Sequence, residues 1–326
     1  MTNPQLQSWQ KAISSKLASF DFGSNPSELY EPIRYILGLG GKQLRPLLCV
    51  IAADMFEANL TVAQDASLAV EIFHNFTLMH DDIMDEAPLR RGESTVHEKW
   101  DTNIAILSGD VMFVKAYDAL LSLPAEIFKE ALEKFNTCAR EVCEGQQFDM
   151  NFESREQVHA DEYINMIRLK TAVLLGFSLE LGSIIGGASD KDKECIRDFG
   201  TEVGIGFQLK DDLLDVFGEQ AKVGKQIGGD IICNKKTYLL IKALELATPE
   251  QKVLLESWIS KEDFNTEEKV QAVTQLYEEI GVKKLTEDLM NDYFVSAFSK
   301  LDQINVSPEQ KKNLIDFTNF LINRDH

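Results

Sequence analysis

The sequence predicts an all-α protein, a single large helical domain of ten or more helices spanning residues 1–326. Apolar residues recur at three- and four-residue spacing along the whole chain, in segments such as QDASLAVEIFHNFTLMHDD and EIFKEALEKFNTCAREVCEGQQFDM. We find no convincing pair of alternating strands joined by a hairpin turn. The interruptions are short, and no low-complexity linker divides the chain. Four prolines stand at plausible helix boundaries: Pro26, Pro124, Pro249 and Pro308.

The composition is that of a large acidic globular protein. The chain has 326 residues, of which 44% are hydrophobic, and this is ample to bury a core. Its formal net charge is −20. Such a surface repels nucleic-acid backbone and anionic lipid, so we expect neither as a partner. If the substrate is itself anionic, a cation must mediate its binding.

Cysteine usage and the apolar segments favour a cytoplasmic protein without an integral membrane segment. None of the five cysteines forms a CxxC pair, and their odd number argues against a full disulfide framework. The N-terminal segment lacks the long apolar run of a signal peptide. The most apolar segment, TAVLLGFSLELGSIIGGA, contains Glu180 and several glycines, so it predicts closely packed buried helices rather than a membrane span.

Two aspartate motifs, HDDIMD and KDDLLD, occur within otherwise apolar helical segments. In each motif the first and last aspartates are four residues apart and share one face of a helix, where like charges need a neutralising cation. A solvated acidic face or an N-cap cluster would explain one such motif, but two embedded in apolar helix disfavour that explanation. Hard oxygen ligands favour Mg²⁺, which prefers one or two carboxylates plus phosphate oxygens. We therefore expect a phosphorylated ligand bridged by Mg²⁺ to both helices. The candidate metal ligands are Asp81, Asp82, Asp85, Asp211, Asp212 and Asp215.

Basic residues beside these motifs predict a second anion site. In GGKQLRP, Lys42 and Arg45 follow a glycine-rich turn at the start of a predicted helix, and Arg90 and Arg91 follow the first motif. Backbone N–H groups at a helix start, a lysine and a forked guanidinium together suit a diphosphate. Taken alone, a KxxR pair is usually solvated surface, and two adjacent arginines can cap a helix C-terminus.

Further polar residues occur where apolar ones would be expected, although each also has an ordinary surface interpretation. They are Lys170 and Thr171 before the apolar run, Gln208 before the second motif, and Lys225 and Lys235 in glycine-punctuated loops after it.

Taken in order, GGKQLRP, HNFTLMHDDIMD, RRG, KT, GFQLKDDLLD, GK, GGD and KKT resemble the trans-isoprenyl diphosphate synthases, or polyprenyl synthetases, over roughly residues 38–240. The resemblance implies a helical fold of the isoprenoid synthase type around a deep central cavity, usually as a homodimer. It implies head-to-tail 1′-4 condensation of isopentenyl diphosphate with an allylic diphosphate, which is dimethylallyl, geranyl or farnesyl diphosphate. Gln43 departs from a common bacterial pattern with arginine there, which puts a secondary contact in doubt.

The resemblance also implies roles for the candidate residues. Asp81, Asp85 and Asp211 would ligate Mg²⁺, with Asp82, Asp212 and Asp215 supporting directly or through water. Arg90, Lys170 and Lys225 would hold the allylic diphosphate, with Lys235 nearby. Lys42, Arg45, His74 and Arg91 would hold isopentenyl diphosphate. Thr171 and Gln208 would line the reacting centre and stabilise developing positive charge through their oxygens.

Product length is expected to depend on the residues preceding the first motif. Phe76 is five residues before Asp81, so it lies about 7–8 Å further along the helix, and Thr77 follows it. Phe76 is more than a quarter turn off the stripe of Asp81, so it could also be an ordinary core phenylalanine. An uninterrupted DDIMD preceded by Phe76 and Thr77 most resembles the motif of geranylgeranyl diphosphate synthases of archaeal type. We expect a twenty-carbon product, with fifteen carbons as the alternative.

Two rival functions remain at this point. A terpene cyclase would use one allylic diphosphate without an isopentenyl partner, and its second metal motif would carry Asn/Asp, Ser/Thr and Glu at wider spacing than DDLLD. A non-catalytic subunit of a heteromeric synthase would be expected to have lost one aspartate motif, whereas both are intact here.

Overall fold

The computed structural model describes residues 3–218 and 228–323, and its helices confirm the predicted all-α class. The elements up to residue 154 are α1 (Pro4–Ser19), α2 (Ser27–Gly38), α3 (Leu44–Met55), α4 (Leu60–Met84), β1 (Leu89–Arg90), β2 (Glu93–Ser94), α5 (Val96–Lys99), α6 (Thr102–Leu120) and α7 (Ala125–Ser154). The later elements are α8 (Ala160–Ile167), a π-helical segment (Arg168–Ala172), α9 (Val173–Ile185), α10 (Asp190–Phe217), α11 (Gly229–Ile232), α12 (Tyr238–Leu246), α13 (Pro249–Ile259), α14 (Thr266–Ile280), α15 (Val282–Asp302) and α16 (Pro308–Ile322).

Helix starts follow the local sequence signals. All four predicted boundary prolines are confirmed, since α2 and α7 begin one residue after Pro26 and Pro124, and α13 and α16 begin at Pro249 and Pro308. Elsewhere, polar side chains satisfy the first backbone N–H groups of a helix. Asn59 accepts from Thr61 N at the start of α4.

The described residues fall into two compact units. The first comprises the residues up to Thr137, with Phe177–Arg197 and Ile304–Asp316. Here α4 packs against α3 and α6, and α1 packs against α3 and α4. The buried face of α1 consists of Leu6, Trp9, Ile13 and Leu17, spaced three and four residues apart as helical periodicity requires.

The second unit comprises the described residues of Cys138–Gly176, Asp198–Gln303 and the segment from Phe317. One apolar cluster in it contains Tyr163, Met166, Ile205 and Leu209. Another cluster contains Leu213 and Val216 together with residues of α12 and α14. The prediction of a single domain for the whole chain stays a prediction.

The prediction that the sequence contains no hairpin was wrong at one short segment. Leu89 pairs with Ser94 and Arg90 with Glu93, in antiparallel register. The two turn residues Arg91 and Gly92 have φ of 56° and 83°, which is the left-handed geometry of a two-residue hairpin turn. Two-residue strands carry no alternation, so periodicity could not reveal them.

The apolar segment around Glu180 is buried, as expected, but it forms one α-helix, α9, rather than the closely packed pair of helices that was predicted. Among the described ranges 3–218 and 228–323, no helix has the length and apolarity needed to span a bilayer.

Candidate active site

The first aspartate motif lies at the C-terminal end of α4, in the first unit. Helix α4 ends at Met84, and Asp85 is its C-cap, with its N–H donating to Asp81 O at 2.9 Å. The three carboxylates differ in exposure, because the Asp81 side chain is 20% exposed, Asp82 is 2% exposed, and Asp85 is exposed. The two outer aspartates of the motif are therefore accessible to solvent, whereas the middle one is buried.

The buried Asp82 is paired with Arg90 of the hairpin. Arg90 Nε lies 2.7 and 2.8 Å from the two carboxylate oxygens, and a terminal guanidinium nitrogen lies 2.6 Å from Oδ1. The same guanidinium is 3.7 Å from Asp81 Oδ2. Burial raises the pKa of Asp82, and the hydrogen bond and charge of Arg90 oppose that rise. The Asp82–Arg90 pair thus places an arginine beside the outer aspartate.

Arg45 and His74 form a second polar group in the same unit. Arg45 Nη1 lies 3.1 Å from His74 Nε2. Burial, followed by the charges of Arg45, Arg91 and Arg90, lowers the pKa of His74 well below its ordinary value. A guanidinium only donates, so the neutral ring accepts at Nε2 and carries its proton on Nδ1.

The buried Glu71 lies one helical turn before this pair. Asn75 Nδ2 donates to Glu71 Oε1 at 3.1 Å, and burial raises the Glu71 pKa against the lowering influence of Arg45, Asn75 and Arg91. Sequence reasoning missed Glu71, although its spacing of three from His74 on one helix was an available signal.

Lys42 of the loop before α3 and Arg91 of the hairpin turn also lie in the first unit. Lys42 is exposed, and its carbonyl accepts from Gln10 Nε2 at 2.8 Å. Arg91 lies over Gly41, where a Cβ would be 3.0 Å from a guanidinium nitrogen. Gln43 has φ of 46° and accepts from Ser14 Oγ at 2.6 Å. The departure at Gln43 therefore serves packing against α1.

Phe76 belongs to an aromatic cluster of the first unit. Its ring stacks on Phe113 of α6, with centroids 5.1 Å apart and planes 13° apart. Phe73 lies 5.6 Å from Phe76 and 5.3 Å from the fully buried Phe135. Thr77 differs, because its hydroxyl donates back to His74 O at 2.8 Å. Of the two predicted chain-length residues, Phe76 is the one backed by further rings.

The second aspartate motif lies near the end of α10, in the second unit. Asp211 and Asp215 are half-buried, and Asp212 is 3% exposed. Tyr163 Oη donates to Asp212 Oδ2 at 2.5 Å, and Gln208 Nε2 donates to Asp212 Oδ1 at 3.1 Å. Burial, reinforced by the charge of Asp230, raises the pKa of Asp212 to about 7. Here too the middle aspartate is the buried one.

Asp215 organises the start of α11. Asp230 N donates to its Oδ2 at 3.0 Å, and Gly228 N donates to its backbone carbonyl at 2.7 Å. Lys235 is exposed, and its N–H donates to Asp230 O at 2.8 Å. Lys225 lies outside the described residues, so its predicted role stays a prediction.

Lys170 and Thr171 lie in the π-helical segment of the second unit. Val173 N–H donates to Arg168 O, five residues back, which is the π-type bond. Lys170 Nζ donates to Asp149 Oδ2 at 2.7 Å, and Thr171 Oγ1 lies 3.4 Å from Gln208 Oε1. A Cβ at Gly145 would be 2.2 Å from Lys170 N, so only glycine allows this approach of α7.

The partners Asp149 and Tyr163 were also missed from the sequence. Asp149 lies 21 residues from Lys170, and Tyr163 lies 49 residues from Asp212. Such pairings are set by tertiary packing and have no periodic signal.

The carboxylates differ in their fitness for a metal. Mg²⁺ needs oxygen ligands with room for water or phosphate, a condition that the outer aspartates meet better than the buried middle ones. Among residues 3–218 and 228–323, no group of three or more His, Cys, Asp or Glu side chains is arranged to hold a metal by itself.

Comparison with known proteins adds independent information. Residues 26–279 match the family model described as polyprenyl synthetase. The chain is 36% identical to geranylgeranyl diphosphate synthase of Methanosarcina mazei, over 93% of this chain and 92% of that protein. A crystal structure of a geranylgeranyl pyrophosphate synthase has a TM-score of 0.94 at 43% identity and covers 99% of both chains. The geranylgeranyl pyrophosphate synthetase of Pyrococcus horikoshii has a TM-score of 0.91 at 31% identity, over 98% of this chain and 97% of that one.

Proposed function

The chain belongs to the polyprenyl synthetase family, and from that premise we propose that it is a short-chain trans-isoprenyl diphosphate synthase making geranylgeranyl diphosphate. It would condense isopentenyl diphosphate head-to-tail with an allylic diphosphate. The observation that carries the proposal is the presence of both aspartate motifs together with the basic group around Arg45. A terpene cyclase needs no second diphosphate site, and a non-catalytic subunit needs no intact pair of motifs.

Mg²⁺ fits the outer aspartates, which combine hard oxygen donors with exposure to solvent. The residues that would hold it are Asp81, Asp85, Asp211 and Asp215. When bound, it neutralises the allylic diphosphate and stabilises that group as it leaves. Asp82 and Asp212 are buried and accept from protein donors on both carboxylate oxygens, so we assign them to supporting the sites rather than to direct coordination.

The remaining charged residues would bind and orient the two diphosphates. Arg90, held by Asp82, and Lys170, held by Asp149, supply cations for the allylic diphosphate, with Lys225 and Lys235 as further candidates. Lys42, Arg45 and Arg91 supply cations for isopentenyl diphosphate. His74 is neutral and accepts from Arg45, so it orients that guanidinium.

The oxygens of Gln208 and Thr171 would face the carbon that becomes positive as the allylic bond breaks. Oxygen lone pairs stabilise such a charge without trapping it. The isopentenyl double bond then attacks that carbon, and the released diphosphate accepts the proton lost in the final step. Apolar side chains exclude water, which would otherwise intercept the cation.

The aromatic cluster supports a short product. In this family the chain grows beside the first aspartate helix, and Phe76 is stacked on Phe113 and contacts the tilted ring of Phe73 rather than being isolated. A growing chain that meets Phe76 therefore meets a second layer of rings behind it. We propose twenty carbons as the limit, with fifteen as the alternative.

We further propose a homodimer formed through α6. Leu107, Val114 and the C-cap residue Leu121 are seven residues apart, so they lie along one face of this helix and its end, and they are 57, 59 and 66% exposed. An apolar stripe of this kind suits a second copy of the chain. Sedimentation of Val114→Glu should show monomers where the wild type is dimeric; an unchanged sedimentation coefficient would exclude this face.

One incubation tests the catalytic proposal. The protein is mixed with Mg²⁺, labelled isopentenyl diphosphate and each allylic diphosphate in turn, and the products are dephosphorylated and separated by chain length. Elongated diphosphate with a twenty-carbon end product supports the proposal. A released hydrocarbon would identify a cyclase, and absence of turnover would identify a non-catalytic subunit.

A further inference from the structure

The middle aspartate of the second motif belongs to a chain of hydrogen bonds that reaches the proposed reacting centre. Asp212 accepts from Tyr163 on one oxygen and from Gln208 on the other, and Gln208 Oε1 lies 3.4 Å from Thr171 Oγ1. Four side chains from α8, the π-helical segment and α10 are thereby linked within the second unit.

The carboxylate decides which end of the Gln208 amide faces it. Both Asp212 oxygens accept hydrogen bonds, Oδ2 from Tyr163 and Oδ1 from Gln208, so the amide must turn its NH₂ group toward Asp212 and its oxygen away. An unconstrained glutamine could present either end, because the two ends have nearly the same shape. The orientation of Gln208 is therefore fixed by Asp212.

The phenol of Tyr163 fixes the carboxylate in turn. Its hydroxyl donates to Asp212 Oδ2 at 2.5 Å, and its ring is 2% exposed within the apolar cluster of Met166, Ile205 and Leu209. A buried ring in a packed cluster has a single rotamer, so the acceptor that it engages is held in place.

We propose that Asp212 and Tyr163 are positioning residues that hold the Gln208 oxygen toward the carbon bearing the developing positive charge, and that Asp212 is not a metal ligand. The inference rests on the proposed synthase function for the identity of that charge. A flipped amide would present its positive NH₂ end to a cation, which would raise the barrier instead of lowering it.

The principal test compares Asp212→Asn with Asp211→Asn. Asparagine keeps the shape of Asp212 but can donate to Gln208 as well as accept, so it no longer dictates the amide orientation. We expect kcat to fall about 100-fold in Asp212→Asn, with a larger share of allylic substrate lost to water as the alcohol. Binding of Mg²⁺ with an unreactive allylic thiodiphosphate, measured by calorimetry, should stay within about threefold of wild type.

Asp211→Asn should instead weaken that Mg²⁺-dependent binding by about tenfold or more. If Asp212→Asn weakens it equally, Asp212 is a ligand and the proposal fails. An unchanged kcat and product partition in Asp212→Asn would also overturn it.

Tyr163→Phe provides a second route if Asp212→Asn does not fold. It leaves the carboxylate in place and removes only the hydroxyl, so we expect about a tenfold loss of kcat with unchanged metal-dependent binding. Tyr293→Phe is the matched control, since it removes a half-buried phenol hydroxyl against the same apolar cluster. Equal effects of the two Tyr→Phe changes would contradict a positioning role for Tyr163.

A substrate-free measurement separates this inference from the proposed function. In protein labelled with ¹⁵N-glutamine, the side-chain NH₂ signal of Gln208, identified by its loss in Gln208→Ala, should exchange slowly with water. Exchange should quicken in Asp212→Asn and Tyr163→Phe. If exchange is unchanged, positioning is refuted whatever reaction the enzyme catalyses, whereas failure of the wild type to elongate substrates refutes only the proposed function.

Discussion

The two aspartate motifs have the same spacing, yet their buried members are satisfied differently. In the first, Asp82 is matched by the guanidinium of Arg90, whereas in the second, Asp212 is matched by the neutral donors Tyr163 and Gln208. A charged partner extends the positive surface of its site, while neutral donors fix geometry without adding charge. We therefore propose that the first motif receives an anion and that the second orients a neighbouring oxygen.

The largest expected effect tests the shared property of the motifs, their outer aspartates. Asp81→Asn and Asp211→Asn should each reduce condensation about 1000-fold, because each loses a carboxylate that would hold the Mg²⁺ needed to neutralise the leaving diphosphate. Thermal unfolding should change little, since neither side chain is fully buried. Condensation in Mg²⁺ at near wild-type rate in either variant would remove that motif from the metal site.

The next prediction compares how much the free energy of unfolding falls when each buried carboxylate loses a partner. Arg90→Ala leaves Asp82 buried without its cation, and we expect a loss of about 3 kcal/mol in the free energy of unfolding. Tyr163→Phe removes one neutral hydrogen bond to Asp212 and should cost about 1 kcal/mol. Urea denaturation measures both, and a reversed order would contradict the contrast between charged and neutral partners.

A third prediction concerns the pH dependence of the second motif in metal-free protein. The pKa of Asp212 is raised to about 7 from an ordinary 3.8. Between these values the native state holds a proton that the unfolded state has released, so the stability contribution of this carboxyl falls as pH rises. Asp212→Asn has no such group, and its stability relative to wild type should increase from pH 4 to 7 by at most about 1.4 kcal/mol per pH unit. The free energies of unfolding are measured against pH in EDTA. If wild type and Asp212→Asn show the same pH dependence, the prediction is refuted. Tyr293→Phe is the control and should follow the wild-type pH dependence.

The smallest change concerns the residues preceding each motif. Phe76 lies five residues before Asp81, whereas Gly206 lies five residues before Asp211, where a Cβ would be 2.6 Å from the Phe294 ring.

Phe76→Ala should lengthen the product by about one five-carbon unit, because Phe113 still lies behind it, and adding Phe113→Ala should lengthen it further. Phe207→Ala, next to Gly206, is the control and should leave the product length unchanged. Chromatography of dephosphorylated products decides, and identical lengths in wild type and Phe76→Ala would exclude Phe76 as the limit.

The sequence predicted the helical class, the family and the helix-start prolines, because periodicity and motif order are properties of contiguous residues. It also placed the outer aspartates of both motifs among the candidate metal ligands. Helical spacing alone did not separate these aspartates from Asp82 and Asp212, whose supporting role only the family resemblance implied, since partners such as Arg90 and Tyr163 come from other elements. The pairing of Lys170 with Asp149 was missed for the same reason, whereas the hairpin at Leu89–Ser94 was missed because its two-residue strands carry no alternation. The assignment of each residue to substrate stays a prediction.

The glycine at position 145 gives the enzyme a point of adjustment that carries no charge. Its missing side chain sets how near two backbones come, and that distance decides whether the Lys170 ammonium can reach Asp149. A single methyl there would act as a wedge. A substitution at this uncharged position could therefore change the affinity of the site for an anion while every acidic and basic residue stayed the same.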